Sequence, residues 1–177
     1  LFRQALAPPG PVVENASRWR TRQVWMAHLA LTSEADGHRV AERFARGALG
    51  LAGVRADPFA AWLDDWRLAA DAGGEQVEGL FPLRLSAEVS AAESRPAGSA
   101  FAVDLRLDSE KAPVLQGEAG LSRKSDRAGN ASYYYSLTRL PAAGEVRIDG
   151  TRYRVRGLGW LDREWSTSAL SEGQVGW

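Results

Sequence analysis

Residues 145–156 read EVRIDGTRYRVR and carry the clearest structural signal in the chain. The dipeptide Asp149-Gly150 is typical of a two-residue type I′ β-turn, because both central residues of that turn need a positive φ. Alternation around this turn creates an apolar face and an arginine-rich face. The apolar face holds Val146, Ile148, Thr151, Tyr153 and Val155, and the other holds Glu145, Arg147, Arg152, Arg154 and Arg156. The stretch predicts an antiparallel hairpin whose second face meets solvent or, as the less favoured alternative, a polar ligand.

Segments on either side of this hairpin also have the character of strands. Residues 80–85 and 101–107 alternate with a period of two, and residues 132–140 (SYYYSLTRL) consist largely of strand-forming types. A further strand is predicted to begin at 113–116, a polar hairpin tip at 122–130, and a turn at 141–144. Residues 21–32 (TRQVWMAHLALT) are apolar at both parities, which predicts a strand covered on both faces. Together these features predict an antiparallel barrel or sandwich.

Two segments instead follow helical spacing. Apolar residues recur every three or four positions in 36–53, and glycines that can end a helix follow them. The residues concerned are Val40, Phe44, Ala48, Leu51, Gly50 and Gly53. Asp57-Pro58 has the form of a helix start, and Trp62 and Trp66 follow it at i,i+4 spacing. The sequence therefore predicts a short helical or irregular insertion over 36–53 and a helix over 59–68.

Composition limits the classes of function. Lys plus Arg and Asp plus Glu number 22 each, and this balance argues against nucleic acid as the main partner. The absence of cysteine excludes disulfides and zinc-thiolate sites, and two histidines, His28 and His38, make a multi-histidine metal site unexpected. We therefore expect no metal and no cofactor. No apolar run approaches the roughly 18 residues that a membrane span needs. The chain starts at Leu1 without an initiator methionine, and we expect a fragment truncated at both ends.

The stretch GWLDREW, residues 159–165, places two carboxylates between two tryptophans. If the strand after the hairpin alternates without interruption, Trp160 points outward and Arg163 points inward, which is unfavourable. A single bulge at Gly157 or Gly159 would reverse this parity and turn Asp162 inward. An enclosed Asp162 would lose water, its pKa would rise, and it could act as a general acid. The alternative is an ordinary ion pair between a carboxylate and a nearby arginine.

Several further side chains are candidates for the same site. Glu164 is the second candidate acid, and both Trp160 and Trp165 are expected to be largely buried. If Trp165 lies in a packed core, its replacement by alanine should cost about 3–5 kcal/mol. The other candidates for a ligand pocket are Tyr133, Tyr135, His28 and Arg139. A triad of Ser136, His28 and an acid is disfavoured, because the chain has no Gly-x-Ser-x-Gly elbow.

These blocks resemble a known family. The stretches SYYYSLTRL, GLGWLDREWSTSAL and GQVGW, preceded in order by FRQAL, WMAHLALT, DDWRLAA and PVLQGEAGLSRK, resemble the AttH family of predicted secreted hydrolases. That family is related to the carotenoid 1,2-hydratases (hydroxyneurosporene synthases) and the lipocalin-like pericyclases. The resemblance implies an all-β fold, an antiparallel lipocalin-like barrel or half-barrel. It also implies that residues 1–177 form a single N-terminal domain beside a second lipocalin-like domain, in a periplasmic or secreted protein. It places DDWRL in the sheet region, which weakens the prediction of a helix over 59–68.

The resemblance also implies a site. By motif position Asp162 matches the hydratase aspartate thought to protonate an alkene, and Trp160 matches a tyrosine of that motif. Leu161 stands in place of a histidine and Glu164 in place of an asparagine, so the chain departs from the hydratase pattern. One implied function is a hydratase or hydrolase acting on an apolar isoprenoid or acyl substrate. The alternatives are a non-catalytic carrier of a small apolar ligand and a structural half that packs against the second domain.

Overall fold

The computed structural model describes residues 1–6, 17–35, 37–71 and 80–166. Within those ranges every regular element is a strand and no helix is present. The strands are β1 Phe2–Ala5, β2 Gln23–Ser33, β3 Gly37–Arg46, β4 Ala52–Arg55, β5 Ala60–Leu63, β6 Trp66–Ala70, β7 Leu83–Val89, β8 Phe101–Leu107, β9 Val114–Leu115, β10 Leu121–Arg123, β11 Ala131–Ile148 and β12 Thr151–Trp165. The GQVGW stretch and the Asp36 start of the predicted insertion lie outside the described residues.

The strands form two sheets. One contains β1, β2 and β3 in that order, and the other follows the order β10-β11-β8-β7-β6-β5-β4, with β9 and β12 also pairing with β11. The pairings within the first sheet and from β4 through β8 are antiparallel between neighbours in the chain. The all-β, antiparallel fold class predicted from the sequence is confirmed.

The chain divides into two compact units. Unit 1 comprises Leu1–Leu107 and Ala143–Arg156, and the described part of unit 2 comprises Asp108–Ala142 and residues 157–166. The core of unit 1 lies between its two sheets, where apolar side chains of both are removed from water. The small sheet contributes Trp25, Ala27 and Ala41, and the large sheet contributes Ala52, Leu63, Trp66, Ala87, Val89 and Phe101.

The helical insertion predicted over 36–53 is wrong, because that segment contains β3 and β4. The core-facing residues of β3 include Ala41, which is 2% exposed, Ala45, and the alternate positions Arg39 and Arg43. Arg39 donates through Nε to Ser99 Oγ at 2.5 Å, and Arg43 donates through Nε to Glu93 Oε1 at 3.0 Å. Because arginines occupy two inward positions of β3, the sequence does not show the alternation of apolar and polar residues that is typical of a strand. The apolar residues of this segment fall instead at helical spacing.

The helix predicted over 59–68 is also wrong. This segment forms a hairpin of β5 and β6, in which Leu63 is opposite Trp66 and Asp64 and Asp65 make the turn. Asp64 has a φ of 53°, a conformation that aspartate tolerates better than most residues. Leu63 and Trp66 are both buried, at 1% and 6% exposure, because directly opposed residues share one face of a sheet. The i,i+4 spacing of Trp62 and Trp66, which suggested a helix, arises because the two residues lie on the two strands of this hairpin.

The hairpin at Asp149-Gly150 is confirmed. β11 ends at Ile148, β12 begins at Thr151, and the turn residues have φ values of 48° and 84°, as a type I′ turn requires. The carboxylate of Asp149 accepts hydrogen bonds from the backbone N–H of Ala100 and from Ser99 Oγ, both at 2.8 Å. These bonds attach the tip of the hairpin to the segment that leads into β8.

Two smaller predictions about strands need correction. β2 is not covered on both faces, because Trp25 and Ala27 are buried whereas Val24 and His28 on the opposite face are exposed. The predicted turn at 141–144 is absent, since β11 continues through these residues to Ile148. Gly144 makes this possible, because β11 passes so close to β8 there that a side chain would overlap the backbone of the neighbouring strand. Glycine is the residue that permits such an approach.

Candidate functional site

Asp162 lies in unit 2 among several hydrogen-bond donors. Its Oδ1 accepts from Ser136 Oγ at 2.5 Å and from the indole Nε1 of Trp160 at 2.8 Å, and Tyr134 also contributes to lowering the pKa of the carboxyl group. Ser136 Oγ in turn accepts from Nε2 of Gln116 at 2.9 Å. β11 supplies Ser136 and Tyr134, β12 supplies Trp160 and Asp162, and Gln116 directly follows β9. Asp162 therefore links β12 to β11 through its carboxylate.

These hydrogen bonds stabilise the charged form of Asp162. The bond from Ser136 lowers the pKa of the carboxyl group, the partial loss of water opposes it, and the bond from Trp160 and the side chain of Tyr134 lower it further. The net effect is a pKa below the ordinary value, and the residue is exposed. The predicted enclosure of Asp162 and the predicted rise of its pKa are therefore wrong, because the carboxylate is exposed and accepts hydrogen bonds from Ser136 and Trp160 where an apolar pocket was expected.

Glu164 sits in a second polar cluster of unit 2. Ser132 Oγ donates to Glu164 Oε1 at 2.5 Å, and Lys124 forms an ion pair with the same oxygen. Lys124 Nζ also donates to Ser122 Oγ at 3.3 Å and lies 5.9 Å from the centre of the Tyr134 ring. Burial disfavours the charged form of Glu164, but the hydrogen bonds from Lys124 and Ser132 outweigh it and the pKa is lowered. Glu164 is therefore also ionised at neutral pH.

Asp162 and Glu164 lie on the same face of β12, and that face meets Ser132 and Ser136 of β11. Asp162 and Glu164 both bond to serines of β11 that are almost completely buried, Ser136 at 0% and Ser132 at 2% exposure. Neither Gly157 nor Gly159 has the positive φ that a G1-type bulge would require.

A cluster of apolar rings lies on β11 and β12 of unit 2. Trp165 stacks on Tyr133 with ring centres 5.7 Å apart and meets Tyr135 edge-on at 6.1 Å. Leu115 of β9 is opposite Tyr135, so its side chain is on the same face. Leu115 is 57% exposed, Tyr133 58% and Trp165 50%. We call Leu115, Tyr133, Tyr135 and Trp165 the aromatic surface.

The predicted burial of the two tryptophans is wrong. Trp160 is 61% exposed and Trp165 is 50% exposed. Both belong to β12, which pairs with β11 and with no other strand in the described ranges. Exposure of large rings in this number is unusual for a solvated surface.

The structure places the remaining candidates among other contacts. His28 belongs to β2 of unit 1, is exposed, and lies with its ring 6.1 Å from that of Phe2. Arg139 forms an ion pair with Glu110 at 3.1 Å, and both side chains are about half exposed. Ser136 bonds to Asp162 and Gln116, so its hydroxyl has a structural partner on each side. Sequence reasoning missed Gln116, for which the only signal was its position directly after a short strand.

Two further properties concern the described residues alone. They contain no group of three or more His, Cys, Asp or Glu side chains placed to hold a metal ion. The described residues also form no helix that could span a membrane.

Comparison with known proteins agrees with this arrangement of strands. The sequence matches the AttH-like family over residues 1–177, and the chain belongs to that family. It is similar to the crystal structure of an AttH candidate from Nitrosomonas europaea, with 32% sequence identity and a TM-score of 0.71. The similarity covers 89% of this chain and 44% of the other, so the chain spans less than half the length of that structure. No curated protein matches the chain.

The lowered pKa of Asp162 predicts a dependence of stability on pH. Because the folded-state pKa lies below that of the unfolded chain, the stabilising effect of Asp162 is fully present above about pH 4 and is lost as the pH falls through the folded-state pKa. We expect Asp162→Asn to destabilise the protein at neutral pH and to approach the wild type in strong acid. Denaturant unfolding of both proteins between neutral and low pH measures the difference. A difference that stays constant across this range would contradict the assignment.

Proposed function

We propose that this AttH-like chain binds a small apolar ligand on its aromatic surface and does not act as a proton donor. The observation that carries the proposal is the exposure of Tyr133, Trp165 and Leu115 on one face of neighbouring strands. Rings that stack on each other in water present a flat, rigid and apolar platform, and aromatic side chains supply large contact area with few rotatable bonds. An isoprenoid or acyl chain is the class of ligand that such a platform fits.

The state of Asp162 favours binding over acid catalysis. A general acid must carry a proton near neutral pH, and the hydrogen bond from Ser136 stabilises the ionised form instead. A carboxylate that accepts from Trp160 as well holds the indole in place. Asp162 is thus better suited to fixing the geometry of β12 than to protonating an alkene. The hydratase or hydrolase activity implied by the family is accordingly the less favoured proposal.

Binding is tested by titration with palmitate and with geranylgeraniol, followed through the intrinsic tryptophan fluorescence of the protein. We expect saturable quenching of the wild type. In the double variant Tyr133→Ala with Trp165→Ala we expect the affinity to fall by about tenfold or more, because two aromatic contacts are removed, and calorimetric titration measures this affinity because the variant lacks Trp165 as a reporter. Asp162→Asn should retain the affinity within about threefold, a difference of less than 1 kcal/mol. Trp19→Ala is a matched control, since Trp19 is equally exposed, at 64%, and belongs to unit 1.

Two outcomes would contradict the proposal. The first is an absence of saturable quenching by either ligand, and the second is unchanged affinity in the double variant. If the ligand is instead converted to a product and Asp162→Asn abolishes the conversion, the enzyme proposal replaces the carrier proposal.

A second candidate is a structural role, in which the aromatic surface packs against a further domain of a longer protein. It is supported by the length of the Nitrosomonas europaea structure, of which this chain spans 44%. In that case the longer protein should bind neither ligand at Trp165, and Trp165→Ala should destabilise the longer protein more than the present chain. A periplasmic or secreted location is also a proposal that rests on the family alone.

A further inference from the structure

Unit 1 contains a polar cleft that the proposed function does not use. Its volume is about 820 Å³, and residues of β7, β8, β11 and β12 contribute to its lining together with Asp71. Four arginines line it, namely Arg84, Arg106, Arg154 and Arg156. The cleft is therefore rich in the side chain that proteins use most often to bind carboxylates and phosphates in a two-pronged manner.

Two of the four arginines are neutralised within the cleft. Arg84 binds Asp104 through two hydrogen bonds, from Nε at 2.7 Å and from Nη2 at 2.5 Å. The Arg84 guanidinium holds the pKa of Asp104 below its ordinary value, so this pair is charged at neutral pH. Arg106 Nη1 lies 2.9 Å from Asp71 Oδ2. Each of these two ion pairs has no net charge.

The third carboxylate of the lining is directed to other partners. Glu145 Oε1 lies 4.0 Å from Arg147 and 3.8 Å from Arg152, neither of which lines the cleft. Arg154 and Arg156 form no ion pair or side-chain hydrogen bond with any part of the chain that the structure describes. The four arginines and three carboxylates of the lining leave the cleft with a net charge of +1, and Arg154 and Arg156 are its two arginines without an ion pair in the described part of the chain.

We propose that Arg154 and Arg156 bind a phosphate group in this cleft. The two residues are separated by one position on β12, so their side chains leave the same face with Cα atoms about 6.5–7 Å apart. Two guanidinium groups at this spacing can approach one tetrahedral anion from two sides. A phosphate monoester carries a charge of about −1.5 to −2 near neutral pH, so it can accept hydrogen bonds from both unpaired guanidinium groups in a cleft of net positive charge. The chain as a whole has no net charge, so the attraction is local to the cleft.

The site is tested by calorimetric titration of the chain with inorganic phosphate at low ionic strength, where screening is weak. We expect saturable binding that falls by about tenfold or more in the double variant Arg154→Gln with Arg156→Gln. Arg55→Gln is the matched control, because Arg55 is an exposed arginine of unit 1 that bonds to the carbonyl oxygen of Pro58 and forms no hydrogen bond or ion pair with the described residues that line the cleft. Its affinity for phosphate should remain within about twofold of the wild type.

A second variant tests the site by gain of affinity. Asp104→Asn removes a negative charge and releases Arg84, so phosphate binding should become several-fold tighter. Glycerol 3-phosphate and vesicles that contain phosphatidic acid then distinguish a soluble phosphate monoester from a lipid headgroup. The proposal is overturned if phosphate does not bind saturably, if the double variant binds as well as the wild type, or if acetate binds equally well. Only variants that circular dichroism shows to be folded enter the comparison.

Discussion

Replacing Trp66 with alanine is expected to lower the free energy of unfolding by about 3–5 kcal/mol. Trp66 is 6% exposed and belongs to the core of unit 1, so its removal leaves a large cavity. Its indole Nε1 also donates to the carbonyl oxygen of Glu88 at 2.9 Å, which would lose this partner. The guanidinium of Arg43 lies 4.5 Å from the ring centre, and the cation–π contact between them would be lost as well.

Two other tryptophans provide the comparison for Trp66. Trp165→Ala should cost no more than about 2 kcal/mol, because the ring is half exposed and its main contacts are two tyrosines. Trp19→Ala should change the stability by no more than about 0.5 kcal/mol, since the side chain is 64% exposed. Denaturant unfolding of the three variants gives the values. A cost for Trp165→Ala equal to that for Trp66→Ala would contradict the exposed position of β12.

Replacing Gly144 with alanine is expected to destabilise unit 1 by about 3 kcal/mol or more. A Cβ atom at this position would overlap the carbonyl oxygen of Asp104 and would lie 3.0 Å from Leu105 Cα. Both are backbone atoms of β8, so they cannot yield by rotation of a side chain. β11 would have to move away from β8, and hydrogen bonds between the two strands would lengthen or break.

Gly157 is the matched control for Gly144. It lies in β12, a Cβ atom added to it would meet no other atom within 4 Å, and it is not among the glycines with positive φ. Alanine at Gly157 should therefore change the stability by less than about 1 kcal/mol. Thermal unfolding of the two variants measures both effects. Equal stability of the two variants would show that β11 and β8 are not in close contact at Gly144.

The sequence predicts the parts of the fold that depend on local geometry. Asp149-Gly150 specifies its turn because few other residue pairs adopt two positive φ values, and the turn fixes the strands on either side. The two predicted helices fail for a tertiary reason. In β3 the inward positions include Arg39 and Arg43, and each is tolerated only because acidic or hydroxyl partners come from segments more than 20 residues away. The spacing of apolar residues within one segment contains no information about partners from distant segments.

The sequence predicts that the two acids of the candidate site share a face, but it does not predict their surroundings. Asp162 and Glu164 share a face because they are two positions apart on one strand, and sequence is sufficient to infer this. The pKa of Asp162 depends instead on Ser136, 26 positions earlier, and on whether another strand covers β12. Neither property is contained in the GWLDREW stretch, so the expectation of an enclosed acid could not be corrected without the structure.

The central claim is that an apolar ligand binds at the aromatic surface, and a two-dimensional NMR titration with palmitate tests it most directly. We predict saturable shifts of the amide signals of Tyr133, Tyr135 and Trp165 and of the indole signal of Trp165. Signals from the buried core of unit 1, such as that of Phe101, should remain in place. Shifts centred on Phe101 with no change at Trp165, or no saturable shift at all, would contradict the claim.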